Sequence, residues 1–191
     1  MHPDALPMIY LASQSPRRHA LLQAAHIPFE VLSLDVEESY PDTLRPFDVP
    51  EFLAHKKAVA ALAQADGGIV LAADSLVFKG QEIYGKPADR ADAIRILTEL
   101  AGDVHQVITG VCLMNSDRHR TFSCTSHVHL AEMTEDEIAY YVDTFEPYDK
   151  AGSYAIQEWL GHCKIRKIDG SYNNIMGLPT HMVYEALRTF R

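Results

Sequence analysis

Cysteine is scarce in this chain, and the three that occur are far apart. Cys112, Cys124 and Cys163 are odd in number and include no Cys-x-x-Cys pair, which is the spacing of zinc sites and redox dithiols. The cysteines therefore argue against a disulfide framework, a zinc site and a redox dithiol. They predict a protein of the reducing cytoplasm.

Long apolar runs are also missing. No stretch of the sequence approaches the roughly 18 apolar residues that mark a membrane-spanning helix. Residues 1–7 lack the basic cluster and following apolar run of a secretory signal. We therefore expect a soluble protein with no membrane partner, in which residues 1–7 form a flexible tail.

Basic residues are outnumbered by acidic ones. The chain has 17 Lys and Arg against 26 Asp and Glu, a formal net charge of −9. Sequence-independent nucleic-acid binding draws most of its affinity from Lys and Arg that neutralise phosphates, so a nucleic-acid partner is not expected. A small phosphorylated ligand needs only a local basic pocket. Local groups of Lys and Arg therefore indicate where a phosphate site could lie.

The hydrophobic pattern predicts alternating strands and helices in a single domain over residues 8–191, that is, a mixed α/β fold. A chain of 191 residues is long enough to bury roughly 70% of its unfolded surface. The segment 147–176 is rich in glycine, tyrosine and polar residues and is expected to contribute to a site. Strands are predicted over residues 8–12, 29–34, 69–73, 104–114 and 121–130, and helices over 17–25, 49–64, 88–100, 135–144 and from 178 onward.

A hydroxyl- and arginine-rich motif lies where the first strand gives way to the first helix. It contains Ser13, Ser15, Arg17 and Arg18. Hydroxyls, free backbone N–H groups and guanidinium groups at a helix N-terminus form a phosphate cradle. The alternative is a serine turn that caps the helix, with both arginines solvated.

Carboxylates stand at two places near the predicted sheet. Asp74, followed by Ser75, comes after the apolar run of the third strand, and Glu37 and Glu38 lie in an earlier acidic loop. Carboxylates at a phosphate site hold a divalent cation, and one of them can deprotonate an attacking water. The alternative for Asp74 is a turn former or a helix cap.

Three lysines spread along the chain are candidate phosphate contacts. They are Lys57, Lys86 and Lys150, and for each taken alone a solvated surface ammonium is the stronger interpretation. His127 and His129 alternate on a predicted strand and would share one face. For this histidine pair a solvated strand face is favoured over a metal site.

Taken together, these motifs resemble the Maf family of nucleoside triphosphate pyrophosphatases over residues 11–190. The resemblance implies an elongated mixed β-sheet with flanking helices and a deep cleft between two lobes, related to the inosine triphosphate pyrophosphatase-like fold. Five ordered motifs carry it: residues 11–18, 72–75, 85–87, 149–157, and 170–172 with 176–179.

The resemblance implies a nucleoside triphosphate diphosphatase, a hydrolase acting on acid anhydrides that releases a monophosphate and pyrophosphate. It assigns proton acceptance to Asp74, and a divalent metal, Mg²⁺ or Mn²⁺, to Asp74 and Glu37. It also implies a homodimer and a small-molecule nucleoside triphosphate as the partner. The substrate contacts it implies are Ser13, Ser15, Arg17, Arg18, Lys57, Ser75, Lys86, Lys150 and Gln157.

Three positions place the chain in the branch of the family that resembles dTTP/UTP pyrophosphatases. Arg17, Ser75 and Gln157 stand where the 7-methyl-GTP branch has Trp, Gln and Glu. Ser75 replaces the usual Thr and Ala155 the usual Gly, so modified pyrimidine nucleotides stay open as substrates. The alternative function is a non-catalytic, nucleotide-binding regulator of cell division.

Overall fold

The structure, a computed structural model, describes residues 6–190, so most of the predicted N-terminal tail lies outside the described residues. Short 3-10 helices occupy Pro46–Asp48, Pro147–Asp149 and Ala151–Ser153. The other elements are, in chain order, β1 (Ile9–Leu11), α1 (Pro16–Ala24), β2 (Phe29–Val31), α2 (Val49–Leu62), β3 (Ile69–Lys79), β4 (Glu82–Tyr84), α3 (Arg90–Leu100), β5 (Val104–Met114), β6 (His119–Leu130), α4 (Glu135–Phe145), α5 (Trp159–Lys164), β7 (Ile165–Asp169), α6 (Tyr172–Met176) and α7 (Thr180–Thr189).

The strands form one seven-stranded sheet in the order β2-β1-β3-β5-β6-β7, with β4 paired to β3. Strand β1 runs parallel to both β2 and β3. Strand β4 is antiparallel to β3, and β7 is antiparallel to β6. This confirms the predicted mixed α/β fold with helices flanking the sheet.

The chain divides into two compact units, and β3, β5 and β6 contribute residues to both. The first comprises residues 6–74, Thr109–Cys124 and 177–190. Its core includes an alanine-rich face of α2, and the start of α2 lies directly on the backbone of β5. A Cβ at Gly110 of β5 would lie 2.3 Å from the backbone nitrogen of Glu51, so this close approach requires glycine.

The second unit comprises Ser75–Ile108 and Thr125–Met176. Helices α3 and α4 pack their apolar faces into its core. The predicted capping box at the start of α4 is present: the Thr134 N–H donates to the Glu137 carboxylate at 2.9 Å, and the Glu137 N–H donates to the Thr134 hydroxyl at 3.2 Å. This reciprocal pair defines where α4 begins.

Two expectations about secondary structure were wrong. Strand β3 does not end before Asp74 but continues to Lys79. The segment 147–176 contains β7 and short helices that its composition did not predict. Strand β7 carries only two apolar residues, Ile165 and Ile168, and its pairing with β6 makes it a strand where its own pattern does not.

Within residues 6–190, no helix is both long and apolar enough to cross a membrane. Cys112, Cys124 and Cys163 are free thiols.

Candidate active site

Asp74 is a buried carboxylate in the middle of a strand. It is 6% exposed and follows four fully buried residues of β3. The first part of β3 pairs with β1, with Ile9 opposite Ile69 and Leu11 opposite Leu71. Since the strand continues past Asp74, the interpretation of this residue as a turn former or helix cap is excluded.

Lys57 of α2 brings two carboxylates together. Its ammonium donates to Asp74 Oδ1 and, at 2.8 Å, to Glu38 Oε1. The side chains of Lys57 and Asp74 are 15% and 9% exposed, whereas that of Glu38 is 43% exposed. Lys57 is therefore not a solvated surface ammonium, and it links the predicted base to the acidic loop.

The acidic loop is fixed to α2 by a second lysine. The Lys56 ammonium donates to the carbonyl and the hydroxyl of Ser39 at 3.0 and 2.9 Å. Glu37 and Glu38 are both exposed, and this anchor presents Glu38 to Lys57. The sequence motif contained both glutamates, but the fold brings Glu38 to the ammonium that also binds Asp74.

The environment of Asp74 shifts its proton affinity. Burial raises the pKa of Asp74 above its usual range, and the neighbouring charges of Lys57 and Arg18 oppose that shift. A carboxyl with a raised pKa is a stronger proton acceptor once ionised. This is the property that a general base needs near neutral pH.

Arg18 and Ser13 lie together at the start of α1. The Arg18 guanidinium donates to the Gly177 carbonyl at 2.8 Å and to the Ser13 hydroxyl at 3.2 Å. The Ser13 hydroxyl also accepts the Ser15 N–H at 3.2 Å, which is the serine turn of the alternative interpretation. Arg18 is not solvated, however: burial lowers its pKa, the charge of Asp74 raises it, and that of Arg17 lowers it.

Helix α1 begins directly after Ser15. Ser15 is the N-cap residue, and its side chain makes no capping hydrogen bond. Pro16 occupies the first helical turn as predicted, where its missing N–H costs no hydrogen bond. The N-terminus of a helix carries the positive end of the helix dipole, which suits an anion.

The remaining predicted substrate contacts belong to the second unit. Ser75 follows Asp74 on β3, and strand alternation places their side chains on opposite faces of the sheet. Lys86 is exposed in the loop after β4. The predicted roles of Ser75 and Lys86 as substrate contacts stay predictions.

Lys150 and Gln157 lie in the motif of residues 149–157. The Lys150 ammonium is buried and contacts Asp149 Oδ1 at 2.8 Å and Glu158 Oε1 at 3.5 Å. Oε1 of Gln157 is also buried, and within residues 6–190 it accepts no hydrogen bond. A buried acceptor without a donor is costly unless a ligand supplies one.

Sequence reasoning missed Tyr141 and Glu158. The Tyr141 hydroxyl donates to Glu158 Oε2 and accepts the Ala155 N–H at 3.0 Å. The available signal was Glu158 itself, a carboxylate directly after the motif of residues 149–157. Its partner lies 17 positions earlier in the chain, and no local pattern connects the two residues.

The described residues also bear on the predicted metal. Over residues 6–190, no group of three or more His, Cys, Asp or Glu side chains is arranged to hold an ion. Asp74 and Glu38 form a pair of carboxylates around Lys57. The ring Nε2 of His127 lies 3.2 Å from the Gln106 amide nitrogen.

These features define a class of protein: a mixed α/β protein with a buried carboxylate bound by lysine, next to an arginine and serine loop suited to phosphate. The family model described as Maf-like protein matches residues 8–190. The chain belongs to the Maf-like protein family.

Relatives in this family carry a common name. Proteins named dTTP/UTP pyrophosphatase are 45% identical in Porphyromonas gingivalis, over 95% of this chain and 94% of that protein, and 45% identical in Bacteroides fragilis, over 94% of each. One from Christiangramia forsetii is 40% identical, over 94% of this chain and 92% of that protein. The solved structure of the Staphylococcus aureus Ham1 protein is 19% identical, with a TM-score of 0.48 over 65% of this chain and 72% of that one.

Proposed function

We propose that this protein is a nucleotide pyrophosphatase that hydrolyses dTTP and UTP to the monophosphate and pyrophosphate. The observation that carries the proposal is the buried Asp74 carboxylate bound by Lys57. Membership of the Maf-like family and the names of relatives at 40–45% identity support it. A non-catalytic nucleotide-binding regulator would gain nothing from a buried carboxylate near phosphates, because like charges repel.

In the proposed reaction Asp74 accepts a proton from the attacking water. The water oxygen bonds to a phosphorus of the α–β anhydride while the bridging P–O bond breaks, which releases pyrophosphate. Lys57 and Arg18, with the Ser13 hydroxyl, supply positive charge and hydrogen bonds to the phosphate oxygens. Such preorganised groups stabilise the charge that develops on those oxygens.

A divalent cation, Mg²⁺ or Mn²⁺, is proposed to assist the reaction. Asp74 and Glu38 would hold it, since their oxygens converge on one cationic group, the Lys57 ammonium, and carboxylate oxygens are the preferred ligands of such ions. The cation would neutralise phosphate charge and polarise the scissile anhydride. Glu37 remains the ligand predicted from the motif, and Glu38 is preferred because it contacts the Lys57 ammonium that also binds Asp74.

Selectivity for uracil and thymine is proposed to come from Gln157. Its buried Oε1 lacks a donor within residues 6–190 and would accept the base N3–H, while its amide N–H would donate to O4. Both bases share this edge. Purines do not present it in the same position, so they would leave the buried oxygen unpaired.

Product analysis tests the proposed reaction. Incubation of UTP with the protein and Mg²⁺ is expected to give UMP and pyrophosphate, and excess chelator is expected to abolish turnover because the phosphate charge is then unscreened. Anion-exchange chromatography identifies the products. UDP and orthophosphate would contradict the bond assignment, full activity in chelator would contradict the metal, and no hydrolysis of any triphosphate would leave the regulator as the better hypothesis.

The two glutamates of the acidic loop provide a matched test of the metal ligand. We expect Glu38→Gln to raise the Mg²⁺ concentration needed for half-maximal activity by about 10-fold, because one charged oxygen ligand is lost. Glu37→Gln removes the same charge from the preceding residue, which is also exposed, and is expected to change that concentration little. The reverse order would assign the metal to Glu37.

Cytoplasmic location, a homodimer and the absence of a nucleic-acid partner stay predictions from the sequence. Modified pyrimidine nucleotides also stay open as substrates. A panel of ordinary and modified triphosphates in the same pyrophosphate-release measurement ranks them directly.

A further inference from the structure

The buried hydroxyl of Tyr141 contacts residues on both sides of Gln157. Tyr141 of α4 is fully buried. Its hydroxyl accepts the backbone N–H of Ala155 at 3.0 Å and donates to the side chain of Glu158. Gln157 lies between these two residues in the chain, so one oxygen atom restrains the backbone before it and the side chain after it.

Other contacts restrain the same segment. The Glu158 carboxylate also lies 3.5 Å from the Lys150 ammonium, and the Tyr154 hydroxyl lies 2.7 Å from Nε2 of buried His105. A Cβ at Gly161 would lie 1.7 Å from the Ile156 carbonyl oxygen, so α5 packs directly against this backbone. These contacts tie the segment to α4, α5 and β5.

Restraint of this segment matters because Gln157 presents a buried hydrogen-bond acceptor. Its Oε1 is buried and accepts no hydrogen bond within residues 6–190. Discrimination between base edges by a buried acceptor depends on placing that atom within a fraction of an ångström. Tyr141 contacts the backbone two residues before Gln157 and the side chain of the residue that follows it.

We propose that Tyr141 and Glu158 are positioning residues that set nucleotide selectivity by fixing the amide of Gln157 for the edge of a pyrimidine base. The inference rests on the proposed function, since it concerns the base selectivity of that activity. Neither residue contacts the reacting phosphates in this scheme. Their loss is therefore expected to change selectivity and KM more than kcat.

Tyr141→Phe tests the proposal by removing one oxygen atom from the core. We expect the ratio of kcat/KM for UTP to kcat/KM for ATP to fall by about 10-fold, mainly through a higher KM for UTP. A ratio of two substrates does not depend on the fraction of folded enzyme. A merely structural role of Tyr141 would therefore leave it unchanged.

Tyr140→Phe is the matched control. Tyr140 is the preceding residue of the same helix, is 51% exposed, and contacts Trp159 through its ring, which phenylalanine retains. This variant is expected to keep the wild-type ratio. A fall of similar size in Tyr140→Phe would overturn the assignment to the Tyr141 hydroxyl.

A double-variant cycle separates positioning of Gln157 from any independent effect. Once Gln157→Ala has removed the amide, Tyr141→Phe is expected to lower the ratio no further. Glu158→Gln, which keeps an oxygen acceptor for Tyr141, is expected to retain more selectivity than Glu158→Ala. If Tyr141→Phe does not fold, the comparison of Glu158→Gln with Glu158→Ala tests the proposal.

The outcomes distinguish this inference from the function on which it rests. A wild-type protein that releases pyrophosphate from UTP in preference to ATP, with an unchanged ratio in Tyr141→Phe and Glu158→Ala, overturns the inference alone. The inference is also overturned if Tyr141→Phe lowers the ratio in the Gln157→Ala background as much as it does in the wild type. A wild-type protein without pyrophosphate release, or without pyrimidine preference, overturns the proposed function and this inference together.

Discussion

Asp74→Asn is expected to lower kcat for UTP by at least about 100-fold, the typical cost of losing a general base. Asparagine preserves the shape of the side chain and an oxygen acceptor for the Lys57 ammonium, but it cannot take a proton from water. Binding of a non-hydrolysable α,β-imido analogue is expected to persist. Steady-state kinetics and a binding titration measure the two effects separately.

The pH profile gives a second readout of the same residue. Because only the ionised carboxylate accepts a proton, kcat/KM is expected to decrease as pH falls through the pKa of Asp74. Burial raises that pKa, so the decrease begins above the usual range of aspartate, near 3.9. The residual activity of Asp74→Asn is expected to lack this acidic limb.

Asp66→Asn serves as the control for deletion of one negative charge. Asp66 is exposed and has a positive φ of 42°, a conformation that asparagine also adopts readily. We expect this variant to match the wild type in kcat and in pH profile. Near-normal turnover in Asp74→Asn would make Asp74 a structural residue and remove the proposed base.

The second large effect concerns the base. In wild type we expect dTTP and UTP to be preferred over ATP, GTP and 7-methyl-GTP. The triple variant Arg17→Trp, Ser75→Gln, Gln157→Glu is expected to lower the ratio of kcat/KM for UTP to that for 7-methyl-GTP by at least about 100-fold. An ionised glutamate only accepts hydrogen bonds, and tryptophan can stack on a cationic methylated purine.

Gln64→Glu is the control for the charge change at Gln157, since Gln64 is exposed near the end of α2. It is expected to leave the substrate ratios unchanged. A triple variant that keeps its pyrimidine preference, or a wild type that prefers a purine, would contradict the assignment to the pyrimidine branch. Release of pyrophosphate in either case would leave the proposed reaction intact.

Most of the fold could be predicted from local pattern. The bounds of β5 were predicted exactly as they occur, and those of α4 to within one residue, because apolar spacing and a capping box are local signals. Strand β7 could not be predicted this way, since its two apolar residues carry too weak a pattern. Its conformation depends on hydrogen bonds to β6, a partner distant in sequence.

The candidate site was likewise predicted from the sequence only in part. The sequence by itself determined the family motifs, the acidic balance that disfavours nucleic acid, and Asp74 with its serine and arginine loop, because each is a contiguous pattern or a sum over composition. Only the tertiary structure decided that Lys57 binds Glu38 as well as Asp74, and that Tyr141 bridges Ala155 and Glu158. Those contacts join residues 14 to 19 positions apart. They depend on how α2 and α4 pack, and the packing is set by close approaches and buried surfaces that no single segment encodes.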